Sequence, residues 1–216
     1  RSMLIETQGN FGDIRTGDKA AAARYIEAKL SGFAIDVAFN KRLTNYQDSY
    51  DGRNKEPIEL PMKFPLLLLN GVEGIAVGLS TKILPHNFIE LIKSSIAILN
   101  DKNFKIFPDF NGGGLIDVDD YRKGKKGGRI RVRSDIQITD KDKLTIKSVP
   151  YSTNTTSLID SIIKANDNGK IKIKNIEDNT AEEVDISVTL PKGISPNQTI
   201  DALYLFTQCE VSVSSN

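Results

Sequence analysis

Arg129-Ile130-Arg131-Val132-Arg133 alternates a cation with a β-branched apolar side chain. In a strand, the three arginines would stand on one face and Ile130 and Val132 would enter a core on the other. The chain therefore needs a sheet with one wet face. The segments Leu144 to Val149, Lys170 to Ile176, Val184 to Leu190 and Val211 to Ser215 also alternate as half-buried strands. Between them, Ser157 to Asn166 reads as a helix that stops at Gly169. Ser195-Pro196-Asn197-Gln198 is a capping-box start, with proline at the first helical position, for a helix through Phe206. Strands with helices between them, some antiparallel in pattern, give an α+β fold class.

The first half is less regular. Met3 to Thr7 is a short apolar segment leading into the glycine turn Gln8 to Gly12, with Phe11 expected as its anchor. Asp13 to Lys19 reads as a loop or hairpin tip. From Ile26 to Phe39 the apolar spacing favours a helical face, with Gly32 suggesting a break between a short extended piece and a short helix. Lys41 to Glu56 is polar and reads as a linker, so the expected domains are residues 1–44 and 45–216. Pro61 to Leu69 is an apolar run between prolines, expected as a buried strand or extended segment. Asn70 to Gly78 then brings three glycines around Ile75, which reads as a tight turn docking that isoleucine in the core. Asn87 and Glu90 form a capping pair for an amphipathic helix Phe88 to Leu99. Phe107 to Ile116 is a turn-rich crossing.

Composition narrows the function classes. With 216 residues, 39% hydrophobic and 26% charged, the chain can bury a real core. A formal charge of +1 means that any nucleic-acid contact must come from local clustering. A lone cysteine, Cys209, excludes an intramolecular disulfide framework and fits a reducing cytoplasm. No run of about 18 apolar residues and no signal-peptide pattern indicates a membrane or an export route. His86 is the single histidine, which rules out a multi-histidine metal site and suits a structural role at a helix entry.

Two features carry chemistry. Gly17 to Leu30 sets Tyr25 directly behind Arg24 and a run of four alanines. A phenol, with an ordinary pKa of about 10, attacks poorly at neutral pH unless a base, a cation or a polarised electrophile assists it. Arg24 offers a planar fork of donors suited to a phosphate oxygen, and the alanines leave room for a bulky polyanion. Tyr25 is thus a candidate nucleophile; the pair also reads as the start of an ordinary half-buried element. The second feature is the basic stretch Arg122, Lys123, Lys125, Lys126, Arg129, Arg131 and Arg133, interrupted by glycines. It reads as a phosphate-tracking stripe or as the solvated outer face of a sheet.

Thr7-Gln8-Gly9-Asn10-Phe11-Gly12, Ala21 to Leu30 with Arg24-Tyr25, Tyr50-Asp51-Gly52, Glu56-Pro57, Asn70 to Gly78 and Pro85-His86-Asn87 occur in the order found in the A subunit of bacterial type IIA DNA topoisomerases. From about Met3 to its end the chain resembles that family, most of all its topoisomerase IV branch, with the gyrase branch as a close relative. One departure is Leu84-Pro85, where most of the family has two prolines before the histidine. The resemblance implies the C-terminal end of a winged-helix DNA-cleavage domain carrying Tyr25, followed by a mixed α/β tower domain. It also implies that Ile75 wedges between base pairs and kinks the duplex, which is reasonable for an apolar side chain. The basic stripe would then lie along the flanks of the bent duplex.

By the same resemblance, Tyr25 attacks a phosphodiester to leave a 5′-phosphotyrosyl link while Arg24 stabilises charge on the phosphate. The implied enzyme is an A2B2 assembly in which the A subunits form a homodimer. The B subunit carries Mg²⁺ and hydrolyses ATP, and this chain holds neither. The expected role is changing DNA topology for chromosome segregation in the bacterial cytoplasm, at the nucleoid. The earlier winged-helix segment of the family is missing, so the chain reads as a fragment expected to be inactive alone. Two other classes stay open: a non-catalytic duplex-bending module, and a structural domain making subunit contacts.

Overall fold

The computed structural model describes residues 3–215. Every paired strand in it is antiparallel, and five helices of more than three residues lie among small sheets. The α+β class read from the sequence is the class observed.

The largest core lies under the four-stranded sheet β11(Asn175–Asp178)-β12(Ile186–Thr189)-β10(Lys143–Ile146)-β9(Ile136–Asp140). Leu144, Ile146, Ile186 and Val188 are fully buried there with Leu158 and Ile162 of α4(Thr155–Asp167) and Leu203 of α5(Pro196–Phe206). Side chains of this size each stabilise by about 1.5–3 kcal/mol when withdrawn from water. Ser195 opens α5 as expected, its Oγ accepting from the Gln198 N–H at 3.5 Å. Helix α4 begins two residues before the expected Ser157, because Asn154 is its cap and accepts from the Ser157 N–H at 2.8 Å. The expected strand from Lys170 starts only at Asn175, and the chain bends through residues 171–174 first. Strand β9 is an addition that the sequence reading does not contain.

A second sheet, β13(Glu210–Ser214)-β8(Arg129–Arg133)-β7(Leu115–Asp117), realises the opening alternation. Ile130 and Val132 are buried with Leu84, Phe110, Tyr121 and Val213, while the three arginines face outward.

The N-terminal part departs further from expectation. One part follows it: the break read at Gly32 is observed, since β2(Glu27–Leu30) is an extended piece paired with β1(Ile5–Gln8), and the short helix α1(Gly32–Ala38) starts after Ser31 in place of a helical face running from Ile26. Ser31 is the reason, since its Oγ accepts from Ala34 N–H at 3.0 Å and donates to the Met3 carbonyl at 2.8 Å. Phe11 is exposed and anchors no turn. The polar stretch read as a linker holds a hairpin, β3(Tyr46–Asp48) and β4(Lys55–Pro57). Pro61 to Leu69 is not a strand. Its four leucines, helix formers without β-branching, enter the short helix α2(Leu66–Asn70), and Leu67 and Leu68 stay exposed.

Asn87 caps α3(Phe88–Leu99) as expected, accepting from Ile89 and Glu90 N–H groups at 3.0 and 3.3 Å. Phe88, Phe64 and Phe33 form an aromatic group, with centroids 5.2 Å apart for the edge-on pair Phe64 and Phe88, that docks α1 onto α3. His86, just before the cap of α3, is buried, consistent with a structural role.

Candidate functional site

The tyrosine segment is a ribbon with a turn on top. All eight residues of β1 and β2 are exposed. At its loop end a single 3-10 turn, Ala23–Tyr25, projects Tyr25 with 65% of its surface exposed. The Arg24 guanidinium lies 4.6 Å from the ring centroid of Tyr25, a cation resting on the phenol's face. Both sequence candidates are therefore together and accessible. The backbone beneath them is tight: a Cβ on Gly9, which has φ +96°, would come within 2.6 Å of the Tyr25 carbonyl oxygen. Only glycine fits that approach.

The loop that precedes the turn is tied down. Asp13 and Asp18 close it by an isolated bridge. Within it the Arg15 Nη2 meets Asp13 Oδ2 at 2.8 Å, and the Arg15 amide donates to Asp13 Oδ1 at 2.8 Å. These bonds hold the Asp13 carboxyl down at about 2. Arg15 also donates through Nη1 to the carbonyl of Glu182. Its own carbonyl accepts from the Thr155 N–H at 2.7 Å, and the neighbouring Thr16 carbonyl accepts from Thr156 Oγ1 at 3.1 Å. The loop thus seats on the first turn of α4, satisfying an amide that a helix start otherwise leaves unpaired. Sequence reasoning missed all of this loop's contacts. An aspartate two residues before an arginine hints at the local turn, but no local signal points to Glu182.

Ile75 is not a core residue. It lies on β5(Val72–Ala76), which pairs with β6(Leu79–Ile83) across the two-residue turn Val77-Gly78, and it is 86% exposed. Val77 and Leu79 are exposed beside it, so the hairpin ends in an apolar tip. The expectation of a buried isoleucine fails because the segment pairs as a ribbon. In such a ribbon both faces near the tip can remain in solvent.

The basic stretch divides into two parts. The outward arginines of β8 are each answered by a carboxylate: Arg131 by Asp117 at 2.9 Å, Arg129 by Asp120 at 3.6 Å, and Arg133 by Glu210. Strand register explains two of these pairs, since Arg131 faces Asp117 on β7 and Arg133 faces Glu210 on β13. Arg133 also lies 4.9 Å over the Tyr204 ring, and the Glu210 carboxylate keeps its guanidinium pKa above the usual value. Among the described residues no carboxylate pairs with Arg122, Lys123, Lys125 or Lys126. Those four sit on a glycine-bearing loop in which Arg122 and Lys123 have positive φ (53° and 55°), a conformation disfavoured for side chains of this size. An open cleft of about 490 Å³ brings this loop to the hairpin, with Gly74, Ile75 and Lys82 on one side and Lys126, Gly127 and Ser215 on the other. Tyr25 and Arg24 do not line it. Among the described residues, no group of three or more His, Cys, Asp or Glu side chains could hold a metal ion, and no helix is long and apolar enough to cross a membrane.

The site residues thus fall in two places: Tyr25, exposed under the Arg24 guanidinium, and the apolar hairpin, which meets the basic loop at the cleft. Residues 1–216 match the family model for the A subunit of DNA gyrase/topoisomerase IV, and the chain belongs to that family. It is 44% identical over 216 residues to the DNA topoisomerase 4 A subunit of Borreliella burgdorferi, covering all of this chain and 34% of that protein. It is 37% identical to the DNA gyrase A subunit of Lawsonia intracellularis and 36% identical to that of Buchnera aphidicola, in each case covering all of this chain and 28% of the relative. The chain thus spans about a third or less of the length of these relatives.

Proposed function

We propose that this chain is the part of a type IIA topoisomerase that cuts and rejoins duplex DNA, within the A subunit of the topoisomerase IV branch. The observation that carries the reading is Tyr25, exposed on a tight turn with a guanidinium on its ring, in a chain of this family. The Tyr25 hydroxyl attacks a backbone phosphorus. The bond to the 3′ oxygen breaks as the new O–P bond forms, so the DNA keeps a free 3′-hydroxyl and the protein carries the 5′ phosphate. Arg24 offsets the charge that builds on the phosphate oxygens. Because a phosphodiester replaces a phosphodiester, resealing is the same step reversed.

Ile75, at the apolar hairpin tip, enters a base step and kinks the duplex. Arg122, Lys123, Lys125 and Lys126 contact phosphates beside it. Arg129, Arg131 and Arg133 extend the same surface with their charge already partly compensated. Residues 1–44 correspond to the end of the winged-helix domain, and residues 45–216 to the tower. The partners are double-stranded DNA, the B subunit and a second copy of the A subunit. Mg²⁺ and ATP belong to the B subunit; the bound Mg²⁺ would neutralise phosphate charge beside Tyr25. The setting is the bacterial cytoplasm, at the nucleoid.

Membership of the gyrase branch is the second reading, favoured by identities of 36–37% to two gyrase relatives. The deciding experiment uses the full-length A subunit with its B partner, Mg²⁺ and supercoiled plasmid. Covalent protein–DNA adducts are trapped with detergent for wild type and Tyr25→Phe. Adduct in wild type alone supports the reading; adduct in both places the nucleophile elsewhere.

A further inference from the structure

We propose that Arg15 is a positioning residue for Tyr25, acting through a latch that fastens the tyrosine ribbon to helix α4. This rests on the reading of Tyr25 as the nucleophile and adds what holds it in place. The ribbon cannot fix the tyrosine by itself, because β1, β2 and the 3-10 turn contain no buried residue. A two-stranded ribbon exposed on both faces is marginal in water. It is held at two ends instead. At one end Ser31 ties it to α1 through the Met3 and Leu4 carbonyls. At the other end, beside Tyr25, the latch is the attachment to α4.

The path from the latch to the tyrosine is continuous. Arg15 grips Asp13 and the Glu182 carbonyl while its own carbonyl receives the Thr155 N–H. The Asp13–Asp18 bridge carries the constraint across the loop, and the Ala21 N–H donates to the Asn10 carbonyl at 3.0 Å. Gly9, the residue before Asn10, is the one pressed against the Tyr25 backbone. Movement of α4 therefore moves the phenol. A displacement of about 1 Å from the attack geometry can cost a hundredfold in rate, so a latch this close to the reacting group acts on turnover more than on binding.

The test uses the full-length A subunit with its B partner and compares two variants. Arg15→Ala removes the grip on Asp13 and Glu182. Thr155→Pro deletes the amide donated to the Arg15 carbonyl while keeping α4, since proline is favoured at the first helical position and Asn154 is already extended. The rate of adduct formation is measured across DNA concentrations. Each variant is expected to lower the rate at saturating DNA by about tenfold and to leave the half-saturating DNA concentration unchanged. The double variant is expected to be no slower than the slower single one, because both cut the same latch.

A folded variant of either kind with a wild-type rate at saturating DNA overturns the proposal, as does a loss expressed only in the half-saturating concentration. If Arg15→Ala fails to fold, Thr155→Pro decides. Tyr25→Phe runs alongside: adduct from that variant sinks the nucleophile reading itself, whereas its absence with wild-type latch variants sinks the latch alone.

Discussion

The imidazole of His86 stands between two partners, its Nδ1 at 3.2 Å from the Leu68 carbonyl oxygen and its Nε2 at 3.2 Å from the Tyr121 hydroxyl. A carbonyl only accepts, so Nδ1 carries the proton in the neutral ring, and Tyr121 donates to Nε2. Burial raises the Tyr121 pKa, which keeps that donor protonated. Replacing Tyr121 by phenylalanine leaves a buried ring nitrogen without its donor. The expected cost is about 1–3 kcal/mol of unfolding free energy, read by denaturant titration. His86→Gln, which can still reach one partner, should cost less.

Ile75→Ala should leave stability within about 0.5 kcal/mol of wild type, because the side chain touches little of the fold. The same variant should reduce the bend of a bound duplex measured by end-to-end energy transfer. An unchanged bend would remove Ile75 from the DNA reading.

Charge compensation predicts an uneven salt dependence. Changing both Lys125 and Lys126 to alanine should lower the slope of log affinity against log salt by about 0.9 per lost phosphate contact. Arg131→Ala should lower it by less, since Arg131 already holds Asp117 at 2.9 Å. Equal losses per residue would show that the strand arginines release their carboxylates on binding.

Asp13 gives the latch a pH limit. Its folded pKa is depressed to about 2 from an ordinary 3.8, so its contribution is present above the ordinary value and is lost as pH falls through about 2. Carboxyl resonances followed by NMR should titrate near 2 for Asp13 in wild type. In Arg15→Ala they should return toward the ordinary carboxylate range.

Where structure follows local chemistry, the sequence is legible. The Ser195-Pro196 start, the Asn87 cap and the alternation around Ile130 each contain their own reason within a few residues. Pro61 to Leu69 misleads because a short apolar run between prolines suits a strand and a helix equally, and leucine's preference for helix decides it. Ile75 misleads because a glycine-rich segment reads as a turn when only Val77 and Gly78 turn. Asn154 is a cap that the sequence does advertise, with Ser157 standing at the required spacing, but Ser157 itself is the more conspicuous helix start. At the site, the Arg24–Tyr25 pair is legible because it is contiguous. The ion pairs that answer the strand arginines, and the seat of the loop on α4, depend on pairings between distant segments that no local pattern encodes.

The bond from Thr156 to the Thr16 carbonyl joins residues 140 apart. A ribosome adding about 5–20 residues each second needs roughly 7–30 s to travel that distance. For that interval the nascent tyrosine has its local bonds, the pairing of β1 with β2 and the Asp13–Asp18 bridge, but not the helix that seats its loop. The loop beside Tyr25 is made before α4 and gains its seat only when that helix has emerged and folded.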